Sequence, residues 1–112
     1  MNLWKDFRQT DQLATIIKQS FERPQLIFKH SISCGISAQI RYQLESASED
    51  LSEIADLHYL DLINFRPTSN LVANQLGVPH QSPQVLLIKD GKVVYHSSHF
   101  GIRTDKIMAA VA

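Results

Sequence analysis

Gln25-Leu26-Ile27-Phe28-Lys29, continued by His30-Ser31-Ile32-Ser33-Cys34-Gly35-Ile36-Ser37, is the stretch on which the fold turns. Its first five residues read as a short buried strand bounded by turn formers. Ser31 to Ser37 is a Ser/Cys/Gly-rich turn, and Ile36, Ile40 and Leu44, at i, i+4 and i+8, mark a helix that starts close to Cys34. The local unit is therefore strand, tight turn and helix, with a cysteine at the junction.

The same alternation continues outward. Upstream, Leu13, Ile16, Ile17 and Phe21 form one apolar face of a helix, with Thr10 or Asp11 as N-cap and Pro24 as its stop. Leu3-Trp4 is a candidate edge strand. Downstream, the polar and acidic run Ser46 to Asp56 reads as a frayed helix end and a short turn. Leu57 to Ile63 is a strand. Pro67-Thr68-Ser69 opens a third helix that Leu71, Val72 and Leu76 anchor and Gly77 ends. Val85 to Ile88 and Val93 to Ser97 are strands joined by a hairpin turn carrying Asp90-Gly91. Thr104 caps a last helix through Ile107, Met108 and Val111. The order (β)αβαβαββα predicts an α/β fold with helices on both faces of a mixed sheet: parallel βα units and an antiparallel hairpin at the edge. It is also the order of the thioredoxin fold, although periodicity alone leaves several α/β folds open.

Composition narrows the function classes. The 112 residues, 44% hydrophobic, suit one domain over residues 1–112 with a single core. Eleven basic and eleven acidic side chains cancel, so no global charge attracts nucleic acid or anionic lipid. No apolar run approaches the roughly 18 residues of a membrane span. The start, Met1-Asn2-Leu3-Trp4-Lys5-Asp6, lacks the pattern of a signal peptide, so a reducing cytoplasm is the expected compartment. One cysteine cannot form an internal disulfide, and the count excludes Cys₄ and Cys₂His₂ zinc sites. No metal and no bound cofactor is expected.

Cys34 follows a strand's exit turn and opens a helix. Sites in α/β sheets sit beyond the carboxyl ends of strands, and a helix N-terminus offers partial positive charge and unpaired N–H groups. Both favour a thiolate, the nucleophilic form. Ser33 and Ser37 are placed to donate to the sulfur. The alternative is a small buried hydrophobe, but Cys34 lies off the Ile36-Ile40-Leu44 stripe; the residues alone leave both readings standing. Ser82-Pro83 precedes the strand Val85 to Ile88, a position that suits proline's missing N–H. A cis bond there would turn the Ser82 backbone sideways, and an ordinary trans bond is equally compatible with the sequence.

Phe28-Lys29-His30-Ser31-Ile32-Ser33-Cys34-Gly35-Ile36-Ser37 resembles the active-site stretch of the monothiol bacilliredoxins of the bacillithiol system, whose pattern is F-K-H-S, two residues, then C-P-I-S. Tyr59 to Ile63 with Arg66-Pro67-Thr68-Ser69-Asn70, Gly77 to Ile88, and His96-Ser97-Ser98-His99 resemble the same family, in order and over nearly the whole chain. The resemblance implies a thioredoxin-like fold with Pro83 as a cis-proline beside the cysteine. It implies removal of bacillithiol, or a similar small thiol, from protein mixed disulfides: Cys34 takes the adduct and a second bacillithiol restores it. The thiol is a co-substrate, and the partners are thiolated proteins. Ser82 would offer its backbone to the substrate chain. Gly35 stands where the family has proline; it is looser and adds an N–H donor beside the thiol.

Competing readings are weaker on spacing. Ser37 occupies the place of a resolving cysteine, and Phe28 the place of the buried acid of dithiol thioredoxins, so an external thiol must resolve the intermediate. A C-x₅-R phosphatase loop is excluded because Arg41 lies seven positions after Cys34; Arg41 reads as an exposed helix residue. His30 and His80 are candidates to support the thiolate, and His80, with Ser82 and Pro83, to bind substrate; the alternative for each histidine is a plain structural role. His58 carries no assignment, Asp61 reads as a strand-end structural acid, and Trp4 and Phe7 as packing. The rival from another class is a thioredoxin-fold adaptor in which Cys34 is a redox sensor capped under oxidative stress.

Overall fold

The structure, a computed structural model, describes residues 1–111. Strands β1 (Lys5–Asp6), β2 (Gln25–His30), β3 (Asp56–Asp61), β4 (Gln84–Lys89) and β5 (Lys92–Ser98) form one mixed sheet in the order β1-β3-β2-β4-β5. β3 runs parallel to both β1 and β2, whereas β4 is antiparallel to β2 and β5 to β4. The helices are α1 (Gln12–Gln19), α2 (Gly35–Ser46), α3 (Ser48–Ile54), α4 (Arg66–Leu76) and α5 (Thr104–Val111), with one 3₁₀ turn at His99–Gly101.

Every residue of the central strand β2 is buried. Because side chains alternate across a sheet, Leu26 and Phe28 enter a core with Leu44, Leu51 and Ile107, while Ile27 enters one with Leu13, Ile16 and Val72. Helices α2, α3 and α5 thus cover one face, and α1 and α4 the other. Burial of each such side chain contributes roughly 1.5–3 kcal/mol, so β2 holds both cores together. Gly77 ends α4 in the left-handed region at φ 70°, and Asp90 and Gly91, at φ 53° and 82°, make the two-residue hairpin turn that matches strand twist. No helix among the described residues is long and apolar enough to cross a membrane.

Several expected elements shift. The run Ser46 to Asp56, expected as a frayed end and turn, holds the helix α3. Its Leu51 is fully buried, Ser48 Oγ receives Trp4 Nε1–H at 2.7 Å, and Glu49 and Asp50 sit in the first turn where the helix dipole favours acids. Tertiary packing of one leucine outweighs the run's polarity. The edge strand is Lys5–Asp6 and not Leu3-Trp4, since Trp4 is drawn into the core. β3 starts at Asp56 and stops at Asp61, whose carboxylate Oδ1 accepts the N–H groups of Ile63 and Asn64 and turns the chain. Neither Thr10 nor Asp11 caps α1 with its side chain; Gln12 Oε1 accepts the Arg8 and Gln9 N–H groups instead. Phe21 lies beyond α1 and is exposed. Thr104 is the first residue inside α5, and the carbonyl of Arg103 accepts the Ile107 N–H at 3.1 Å.

Candidate active site

Cys34 is the N-cap of α2. Its backbone is extended (φ −109°, ψ 122°), its carbonyl accepts the Ala38 N–H at 3.1 Å, and its own N–H donates to Ser31 O at 3.2 Å. The thiol is half-buried. The first turn of α2 holds no acidic residue to oppose the partial positive charge of the helix end. Gly35 is exposed at the first helical position, and a Cβ there would meet nothing within 4 Å.

The two serines do not reach the sulfur as expected. The Ser37 hydroxyl is fully buried, accepts the Ser31 N–H at 3.1 Å and shares a 2.6 Å hydrogen bond with His30 Nδ1. Ser33 is exposed and its hydroxyl lies 3.3 Å from that of Ser31. Neither side chain bonds Cys34 among the described residues. The reason is the β2 terminus: His30 is buried and must satisfy its ring nitrogen, and Ser37 is the hydroxyl within reach. His30 also packs between Phe28 and Tyr59, with ring centroids at 5.6 and 5.7 Å. Burial, and then the Arg41 guanidinium, push its pKa down. Arg41 is not free on the surface: it is half-buried, with its guanidinium 5.5 Å from the centre of the Tyr59 ring.

On the opposite face of β2 lies a group the sequence reading passed over. Lys29 is fully buried; its ammonium donates to Ser69 O at 3.0 Å and contacts His80 Nδ1 at 3.3 Å. Burial, helped by nearby Arg66, pushes its pKa down to about 8. The signal was present: a lysine inside an otherwise apolar strand is rare without a reason. His80 is also pushed down, by burial first and then by Lys29 and Arg66.

The chain from His80 returns to the sheet through a loop pinned by Gln84, whose Nε2 donates to Pro79 O at 3.1 Å. The Ser82–Pro83 peptide bond is cis. Pro83 O accepts the His99 N–H at 3.0 Å, and Gln84 pairs with Lys29 on one side and Ser98 on the other. The ends of β2 and β5 and the start of β4 therefore meet at one edge of the sheet, the edge from which Ser31 to Cys34 departs. The Ser82 hydroxyl there is buried without a hydrogen-bond partner among the described residues. Ile32 and Phe100, 59% and 64% exposed, leave apolar surface at this edge that the sequence reading also missed.

This sheet, with a cysteine at a helix N-cap and a cis-proline before the antiparallel strand, is a thioredoxin fold with a single thiol. Solved structures agree on the fold. A protein described as a candidate oxidoreductase with a thioredoxin fold superimposes with a TM-score of 0.87 at 24% identity, covering 99% of this chain and 96% of that one. Thioredoxins of Malassezia sympodialis (TM-score 0.74, 16% identity, 96% and 87% covered) and Fasciola hepatica (0.73, 18%, 96% and 95%) do likewise. The profile of the family described as monothiol bacilliredoxin BrxC matches residues 5–107, and the chain belongs to that family. It is a thiol redox protein, and its one cysteine makes it monothiol.

Proposed function

We propose that this protein removes bacillithiol, or a closely similar small thiol, from mixed disulfides on other proteins in a reducing cytoplasm. The Cys34 thiolate attacks the small-thiol sulfur of the mixed disulfide. A new S–S bond forms to Cys34, the old one breaks, and the protein thiolate leaves. A second small-thiol thiolate then attacks the adduct, restores Cys34 and departs as the symmetrical disulfide. No net electrons enter in the first step, and the second small thiol supplies the reduction.

The observation that carries this reading is the pairing of Cys34 at the N-cap of α2 with a serine, Ser37, in place of a resolving cysteine. Without an internal partner the adduct persists until an outside thiol resolves it. Ser82, on the cis side of Pro83, is suited to offer its backbone to the substrate chain, and exposed Ile32 and Phe100 offer apolar contact. Ser33, Gly35 and Ser37 act on Cys34 through the shape of the turn. Incubation with a bacillithiol-capped model protein, followed by intact mass, tests the reading. Transfer of the adduct to Cys34 with release of the free protein thiol is expected. A Cys34 that alkylates readily yet never takes up the adduct contradicts it.

A further inference from the structure

Arg41 lies on α2 seven residues after Cys34, about two turns on, so the two residues share one face of the helix. Their Cα atoms are about 10 Å apart along the axis, and helix side chains lean towards the N-terminus, here towards Cys34. Contacts trace the same path through the sheet. Ser37 Oγ, one turn after Cys34, bonds His30 Nδ1 at 2.6 Å; the His30 ring centre is 5.7 Å from that of Tyr59; and the Arg41 guanidinium stands 5.5 Å from the Tyr59 ring centre.

The guanidinium is unmatched. Arg41 Nε is buried without a hydrogen-bond partner, and Arg41 makes no ion pair among the described residues. No hydrogen bond of the described residues uses either Nη of Arg41 or the Tyr59 hydroxyl, and both side chains keep part of their surface in solvent. The neighbouring acids are engaged elsewhere. Glu45, one turn further along α2, pairs with the Met1 ammonium at 3.3 Å. Burial first, then the charges of Arg41, Asp61 and Asp6, act on the Tyr59 hydroxyl. Yet Asp61 accepts the N–H groups of Ile63 and Asn64 on Oδ1 and the Asn64 side-chain amide on Oδ2, and Asp6 pairs with Arg8 at 3.3 Å. The cluster matches its acids and leaves one cation over, beside a free hydroxyl, on the helix face that carries the thiol. Leaving a charged donor unpaired costs stability that a bound anion would return.

Resting on the proposed function, we propose that Arg41 and Tyr59 form an anion subsite that holds a carboxylate of the small thiol carried on Cys34. The two Nη groups of Arg41 match the two oxygens of a carboxylate, and the Tyr59 hydroxyl donates a further bond. The occupant is a thiol whose carboxylate lies about 10 Å from its sulfur, the reach of a tripeptide-sized conjugate.

The test uses the symmetrical disulfides of acetyl-Cys-Gly-Gly and of its C-terminal amide, which differ only in charge. The Cys34 thiolate attacks one sulfur, the bond to Cys34 forms as the old S–S bond breaks, and one peptide thiolate leaves. The adduct is followed by intact mass and its rate normalised to a free reference thiol. A preference of about tenfold for the acid is expected, the worth of one charge-assisted hydrogen bond. The preference vanishes in Arg41→Gln, returns in part in Arg41→Lys and weakens in Tyr59→Phe, while the rate with the amide stays unchanged. An arginine that only packs on Tyr59 would leave the preference intact. A second readout does not depend on exchange. Cys34 is loaded through the activated pyridyl disulfide of each peptide, and the Arg41 Nε–H signal, identified by its loss in Arg41→Gln, is followed by NMR. It moves with the acid adduct and not with the amide. Equal rates for the two disulfides, with the same Arg41 signal in both adducts, overturn the subsite and leave the thiol-exchange reading standing. A preference that survives in Arg41→Gln overturns it too. If a bacillithiol-capped model protein is never uncapped while the Arg41 signal still separates the two adducts, the exchange reading fails and the subsite stands.

Discussion

The two ends of β2 and β3 bury polar groups in opposite ways. At the amino end, Gln25 Nε2 donates to Asp56 Oδ2 at 2.8 Å and to Arg23 O at 3.0 Å, while its Oε1 meets His58 Nε2 at 2.7 Å. Arg23 Nε closes the ring on Asp56 Oδ1 at 3.1 Å. Burial pushes Asp56 up, but Gln25, Lys5 and Arg23 together outweigh it and hold it below the usual carboxylate range. At the carboxyl end, Lys29 has no acid partner and the Ser82 hydroxyl no hydrogen-bond partner among the described residues, and His80 lines an open cleft. Burial drives the pKa of His58, at the amino end, down to about 4. A displaced pKa therefore does not by itself mark a site. The two ends differ in whether the buried groups are matched, and Cys34 stands at the unmatched one.

The largest effect expected is at that end. Cys34→Ser abolishes adduct formation and leaves stability within about 0.5 kcal/mol, because the thiol is half-buried and makes no side-chain cap bond. Intact mass and urea denaturation check the two halves of that statement. Next comes the amino end, where a depressed histidine makes stability depend on acid. Above pH 6.5 His58 is neutral in both states and its contribution is fully present. As pH falls from 6.5 to about 4 the unfolded chain takes up a proton that the folded chain refuses. Stability drops by on the order of 3 kcal/mol across that window, and His30, also pushed down, adds in the same direction. Urea midpoints between pH 7 and pH 4 measure it, and the slope shrinks in His58→Gln.

Smaller effects sharpen the contrast. Ser37→Ala strips one partner from both His30 Nδ1 and the Ser31 N–H, both buried, and costs about 1–3 kcal/mol in thermal or urea unfolding. Gly35→Pro is expected to stabilise by about 0.4–1 kcal/mol. The position is the first of α2, the preceding Cys34 is already extended as a pre-proline residue must be, and a Cβ has room. A fall in melting temperature in Gly35→Pro would mean that the turn relies on the Gly35 N–H.

Much of this was legible in the chain. Ile36-Ile40-Leu44, Asp90-Gly91 and Gly77 carry local rules strong enough to set their elements, and the junction at Cys34 follows from strand and helix periods alone. The cis bond at Pro83 was available only through resemblance, since local sequence tolerates either isomer. What stayed hidden depends on partners that only the folded chain brings together. α3 forms because Leu51 finds a core, and Ser37 turns inward because His30 needs it. Lys29 meets His80, 51 residues on, only once α4 is laid across the sheet. No periodicity encodes such pairs.

The most direct test of the account is turnover. A trace of the protein is mixed with an excess of bacillithiol-capped model protein and free bacillithiol, and released protein thiol is counted per molecule of Cys34. The account predicts many equivalents released, with Cys34 cycling between free thiol and adduct. Release that stops at one equivalent, with Cys34 left capped, would contradict it and make the chain a redox sensor.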